Sequence, residues 1–227
     1  MRSRSVQRPG RSMPRVGVCA ALAGAGVAGG LWYRRKTTPF PYSQRWMLDK
    51  EFPYLSRERL CEALAPRPAE RIREIGPGTG LFSVPVAQLL EPGGKLDVFD
   101  IQQAMLDHTL RVATEQNVGN IVATCGDARC LPYAEDTFDE AFMMTVLGEI
   151  PNQEAALGEL RRVLKANGRL VVGEFIFDWH AVPLGVLRRR AKRQEFSFES
   201  RLGPRLSYIA RFSTSTHNPA PTTGGVA

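Results

Sequence analysis

The chain has 227 residues, 43% of them hydrophobic, with a net charge of +7 and a pI near 9.6. This suits one domain with a sizeable core plus extensions. The excess charge invites a nucleic-acid or anionic-membrane partner, but its location excludes a basic domain. Residues 1–36 hold eight basic residues and no acid, and the remainder carries 22 basic and 23 acidic residues. No nucleic acid is therefore expected as a partner. Cys19, Cys61, Cys125 and Cys130 form no Cys-x-x-Cys pair, and His108, His180 and His217 are scattered, so no metal site is expected and the thiols read as reduced.

Residues 1–15 are rich in Arg and Ser and read as disordered. Val16 to Tyr33 is an uncharged run of 18 residues, ten of them Ala or Gly, followed by Arg34-Arg35-Lys36. Two readings stand for this 1–36 arm: a membrane anchor or targeting segment, and a peripheral or disordered arm. The expected location is cytoplasmic, with membrane association through residues 16–36. Residues 37–69 form a second segment. Its Pro- and aromatic-rich stretch from Pro39 to Tyr54 is open to two roles, a packing strap or a lid over a ligand pocket. Ser56 is placed to cap a helix running to about Ala65.

From residue 71 the chain alternates. Arg71–Ile75 reads as a strand, Leu81–Leu90 as a helix, Lys95–Phe99 as a strand ending at Asp100, and Gln102–Gln116 as a helix. Gly119–Thr124 is the third strand and Phe138–Val146 the fourth. Asn152–Lys165 is a helix, Asn167-Gly168 a turn, and Arg169–Phe175 the fifth strand. Val182–Arg193 reads as a helix, then Phe196–Arg201 and Arg205–Phe212 as two strands. The β-α-β-α order implies a doubly wound, Rossmann-like α/β sheet. The short link around Gly203-Pro204 permits only an antiparallel pair at the end. The domain is expected to run over 70–213, with a disordered tail at 214–227.

Ligands of open parallel sheets bind outside the carboxyl ends of the strands. Three features fall there. Arg71 to Gly80 ends in Glu-Ile-Gly-Pro-Gly-Thr-Gly, where glycine lets the backbone take positive φ and lie against a ligand. Asp100 ends the second strand, and Asp127 follows the third. Each lies about one β-α unit, or ~25 residues, from the last, so all three should line one rim. A nucleoside held at three points fits: Asp100 on the ribose hydroxyls, Asp127 on an adenine amino group, and the Ala128 N–H on a ring nitrogen. The Gly-x-Gly-x-Gly spacing differs from Gly-x-Gly-x-x-Gly, which disfavours a dinucleotide.

The segments 74–80, 99–106 (Phe-Asp-Ile-Gln-Gln-Ala-Met-Leu), 126–133 (Gly-Asp-Ala-Arg-Cys-Leu-Pro-Tyr), 138–142, 159–165 and 168–172 together resemble class I S-adenosylmethionine-dependent methyltransferases. The likeness is to the small type 11 kind related to the quinone-biosynthesis methyltransferases. The resemblance implies a seven-stranded sheet whose last strand is antiparallel, and S-adenosyl-L-methionine as cofactor. It places Gly76, Gly78 and Gly80 beside the methionine part, Glu74 near its amino group, Asp100 on the ribose and Ile101 on the adenine face. Asp127 and Ala128 fall at the adenine edge, and Thr145 near the methyl donor. Many relatives carry a histidine after the fourth strand, where this chain has Gly148-Glu149-Ile150. Glu149, and His180 after the fifth strand, are the candidate catalytic residues.

The expected function is methyl transfer to a small or lipid-like acceptor, mainly by in-line positioning. Two alternatives stand beside it: a nucleotide-dependent oxidoreductase, and a non-catalytic cofactor-binding scaffold.

Overall fold

A computed structural model of the chain describes residues 38–52, 54–175 and 177–214. The expectations for the 1–36 arm and for the tail beyond Thr214 lie outside the described residues.

The described chain begins with a 3-10 helix over Tyr42–Met47. Helix α1 follows at Arg57–Leu64, where the Ser56 side chain accepts from the Arg59 N–H as expected of a cap. The alternating region is β1 (Arg71–Ile75), α2 (Ser83–Leu89), β2 (Lys95–Asp100), α3 (Gln103–Glu115), β3 (Ile121–Cys125), β4 (Phe138–Met144), α4 (Gln153–Val163), β5 (Leu164–Phe175), α5 (Leu184–Arg193), β6 (Phe196–Leu202) and β7 (Ser207–Thr214). The seven strands form one sheet in the order β3-β2-β1-β4-β5-β7-β6. β1 to β5 pair in parallel, and β7 inserts antiparallel between β5 and β6. The order reverses direction at β1, between β2 and β4, which is where such a sheet opens a crevice.

Both faces of the sheet are covered, so its central strands are apolar without alternation. On one face Leu60, Leu64, Val86, Leu90 and Leu106 pack on Leu96, Val98, Phe142, Val171 and Ile209. On the other, Ala156, Leu157, Leu160, Leu187 and Ala191 pack on Met143, Leu170, Val172, Ala210 and Phe212. Consecutive residues 170, 171 and 172 thus point to opposite layers, each buried.

Several boundaries differ from the sequence reading, three of them with a clear local cause or contact. Helix α2 starts at Ser83 rather than Leu81, because the glycine turn continues through Leu81 and Phe82. Strand β5 starts at Leu164, which pairs with Phe138, and the Asn167-Gly168 turn lies within it as an irregularity with Asn167 at φ 64°. Thr214, expected in the tail, is the last residue of β7. It is buried, and its hydroxyl donates to the Lys165 carbonyl.

Several charged residues are buried in the described body, among them Arg73, Glu74, Asp97, Glu140 and Glu174. Arg73 in β1 is fully buried, its guanidinium 3.8 Å from the Tyr133 ring centroid, 4.5 Å from that of Phe138 and 3.7 Å from Asp97. Desolvation lowers its pKa, and the aromatic faces and the carboxylate offset the cost.

Candidate functional site

A cleft opens at the carboxyl ends of β1, β2, β3 and β4. Its floor is the turn after β1. Gly76, Gly78 and Gly80 have φ of 69°, 58° and 84°, the left-handed region that a side chain disfavours. A Cβ on Gly76 would lie 2.4 Å from Val146 Cγ2, so the turn also packs too closely for alanine. The Gly76 N–H donates to the Phe99 carbonyl, and the Thr109 hydroxyl donates to the Gly78 carbonyl at 3.2 Å. These bonds fix the turn to β2 and α3.

The structure brings Gly76, Gly78, Asp100, Ile101, Asp127, Ala128, Thr145 and Glu149 together on the cleft wall. Asp100 accepts from the Gln102 N–H at 2.8 Å, and burial raises its pKa to about 6. Ile101 is 54% exposed, an apolar side chain presented to the cleft without core packing. Thr145 has φ 57°, rare for a β-branched residue, and its N–H is held by the Gly173 carbonyl at 2.8 Å.

Gly80 and Glu74 sit just outside the wall. Gly80 lies where α3 packs on the turn, its missing side chain facing Thr109 at 3.4 Å. Glu74 is buried beneath the turn, and its Oε2 has no hydrogen-bond partner. Desolvation raises its pKa to about 8, the Ser83 hydroxyl works against this, and Asp100 adds to it. A buried carboxyl oxygen without a donor suits a site completed by a cationic or N–H group.

The two catalytic candidates separate. Glu149 lines the cleft, accepts the Phe40 N–H on Oε2 at 2.9 Å, and is raised to about 8 by burial, with Asp178 and Asp100 contributing. His180 does not line it. Its backbone carbonyl presses on Gly148, where a Cβ would come within 1.8 Å, and its N–H donates to Asp178 Oδ1. His180 thus packs against Gly148, next to the lining residue Glu149.

Several lining residues escaped the sequence reading. Arg129 binds Asp127 with both Nε and Nη2, the latter at 2.6 Å, and its N–H also donates to Asp127 Oδ1. Phe40 is tied at both ends, its N–H to Glu149 and its carbonyl accepting from Gln102 Nε2 at 2.9 Å. Leu48 lies 3.2 Å from the position of a Cβ on Gly78. Pro39, Phe40, Leu48, Lys50, Phe52 and Leu55 all line the cleft, so this segment forms part of its wall. The aromatic-rich composition signalled this segment, while its contacts depend on pairs 62 and 109 residues apart.

The sequence profile of the methyltransferase domain family matches residues 72–168. The chain is 33% identical over 122 residues to the ubiquinone/menaquinone biosynthesis C-methyltransferase UbiE of Cereibacter sphaeroides, covering 53% of this chain and 48% of the relative. It is 34% identical over 119 residues to the demethylmenaquinone methyltransferase of Streptomyces avermitilis, covering 52% and 48%. The chain thus spans about half the length of the curated relatives it matches. In fold it is similar to a SAM-dependent methyltransferase from Aquifex aeolicus, with a TM-score of 0.70, 15% identity, and coverage of 77% of this chain and 99% of that one. A Thermotoga maritima methyltransferase described as a possible histamine N-methyltransferase aligns with a TM-score of 0.59 and 22% identity, over 76% and 94% of the two chains.

Proposed function

We propose that this chain, which carries a class I S-adenosylmethionine-dependent methyltransferase domain, transfers a methyl group from S-adenosyl-L-methionine to a small, lipid-like acceptor held in the same cleft. The observation that carries the reading is the meeting of three strand-end segments, 75–79, 99–102 and 126–129, on one wall. In this reading the turn at 76–80 admits the methionine portion and Glu74 meets its ammonium group. Asp100 accepts from the ribose hydroxyls and Ile101 covers the adenine face. Asp127 and the Ala128 N–H address the adenine edge.

When bound, the sulfonium supplies an already activated methyl group, so the chain's task is mainly alignment and exclusion of water. Thr145, strained at the end of β4, fixes the backbone where the two halves of the cleft meet. Phe40, Leu48, Phe52, Leu55, Met144 and Ile150 give the other half an apolar lining, which favours a ring- or chain-bearing acceptor. The relatives' names point the same way, toward a quinone-like ring. Glu149 stands on this lining as the group able to take a proton from an acceptor hydroxyl or ring carbon. The uncharged run 16–33 and its basic flanks would hold the chain near lipid. No helix among the described residues is long and apolar enough to cross a membrane.

Titration with S-adenosylhomocysteine tests the donor half. Saturable binding that disappears in Asp100→Ala and Gly78→Arg supports the assignment, and equal binding by both variants overturns it. Incubation of labelled donor with a lipid extract, followed by organic extraction of the label, tests the acceptor class. Pelleting of the full chain with membranes tests the arm.

A further inference from the structure

Three separate segments bring large apolar side chains to the surface along one edge of the cleft. Phe175, at the end of β5, stacks on Phe52 with ring centroids 4.5 Å apart and meets Phe177 at 5.3 Å. Phe175 pairs in register with Ser207, which sets Leu206 beside it. A Cβ on Gly203 would stand 3.3 Å from Tyr54 Cβ, so the turn between β6 and β7 closes the row. Phe177 is 80% exposed, Leu206 61%, Trp179 58% and Tyr54 46%. Phe52 belongs both to this row and to the cleft wall. Isolated exposed apolar residues are ordinary, but a contiguous row ending at a cleft marks a contact surface.

Basic side chains flank the row, and Glu51, the acid next to Phe52, is paired with Arg57. The Arg59 guanidinium lies 5.1 Å above the Tyr54 ring. Arg205 is exposed next to Leu206, and Lys50 is exposed at the cleft. The one acid within the row, Asp178, turns inward to accept the His180 N–H, and its side chain is 23% exposed. The first 36 residues of the sequence carry eight basic residues and no acid. Aromatic side chains flanked by Arg and Lys are the composition of a protein face at a bilayer interface.

We propose that the face formed by Phe52, Tyr54, Phe177, Trp179 and Leu206 rests on an anionic lipid bilayer, with the cleft opening toward the lipid. An apolar acceptor could then enter from the membrane without crossing water.

The test is sedimentation of the full chain with phosphatidylcholine vesicles, with and without phosphatidylglycerol, beside the variant Phe177→Ser/Trp179→Ser. The full chain is expected to bind the anionic vesicles more tightly than the neutral ones. The variant is expected to lose roughly tenfold or more in partition, the size expected for withdrawing two aromatic side chains from the interface. Absence of binding by the full chain, or equal partition of the variant, would overturn the proposal, as would a concentration-dependent dimer that the variant abolishes without any vesicle binding. S-adenosylhomocysteine binding, measured on the same samples, reports on folding and on the donor half separately. Both substituted side chains lie outside the cleft wall, so that binding is expected to persist.

Discussion

The Phe40 N–H donates to Glu149 Oε2 at 2.9 Å, joining the N-terminal segment of the described chain to the residue proposed as the base. In that reading Glu149 has two separable roles. Glu149→Gln keeps an acceptor oxygen for Phe40, while Glu149→Ala removes it. A buried N–H left without a partner costs about 1–3 kcal/mol. The alanine variant should be cut by trypsin near Arg45 and Lys50 at least several-fold faster than the wild type, and the glutamine variant at close to the wild-type rate. If Glu149 takes a proton from the acceptor, both variants lose turnover and only alanine loses protection. Equal protection in the two variants would remove the tether from this account.

Asp127 meets the Arg129 guanidinium through both carboxylate oxygens, and this ion pair, with the backbone bond from Arg129, keeps its pKa below the usual range. An adenine amino group seeking Asp127 has to share it with Arg129 or displace it. Arg129→Ala should therefore raise affinity for S-adenosylhomocysteine by roughly two- to fivefold, in keeping with the modest strength of surface ion pairs. The gain should shrink as salt screens the pair in the wild type. Isothermal titration at low and high salt measures both. Weaker binding by the variant would mean that Arg129 itself contacts the ligand.

Gly76 combines φ 69° with a Val146 Cγ2 only 2.4 Å from where a Cβ would sit. Gly76→Ala has to strain the backbone and displace Val146 together, a cost of about 2–4 kcal/mol from the two effects. The variant should melt at lower temperature and bind S-adenosylhomocysteine at least tenfold more weakly. Adding Val146→Ala relieves the clash and leaves the dihedral strain, so the double variant should recover part of the stability. No recovery would place the whole cost in the backbone.

The wall where 75–79, 99–102 and 126–129 meet was legible in the sequence because each of its parts is local. A glycine turn, an acid ending a strand and a Gly-Asp-Ala run are set by neighbours a few residues apart, and strand order places them on one rim. Arg73 was hidden for the opposite reason. It reads as the polar member of an alternating strand, and only the fold reveals Tyr133 and Phe138 stacked on it. His180 was suggested by its position after a strand, and its close packing on Gly148 is a contact between distant segments that the sequence does not show. The Asn167-Gly168 turn misled the β5 boundary because a single left-handed residue can sit within a strand as well as end one. The role of 39–55 stayed open in the sequence because its partners, Glu149 and Gln102, come from distant strand ends.

Glu74 and Glu149 are both raised from the usual 4.5 to about 8, in each case first by burial. Asp100 is raised from 3.8 to about 6 by the same cause, and Glu174 also rises. A carboxyl whose folded pKa exceeds its unfolded value binds its proton more tightly in the native state. Its contribution is then fully present below the unfolded pKa and is lost as pH rises through the folded one. The ligand-free protein should therefore lose stability between about pH 5 and pH 8. Asp127, Asp139 and Glu159 are lowered and titrate below that window. His108, lowered first by partial burial and then by Arg111, opposes the trend near its usual 6.5. Comparison between variants isolates the carboxyls. Urea midpoints across this range should fall less steeply in Glu149→Gln and least in Glu74→Gln/Glu149→Gln, since a neutral amide has no proton to lose. Parallel curves for the wild type and the double variant would mean that neither carboxyl carries the dependence.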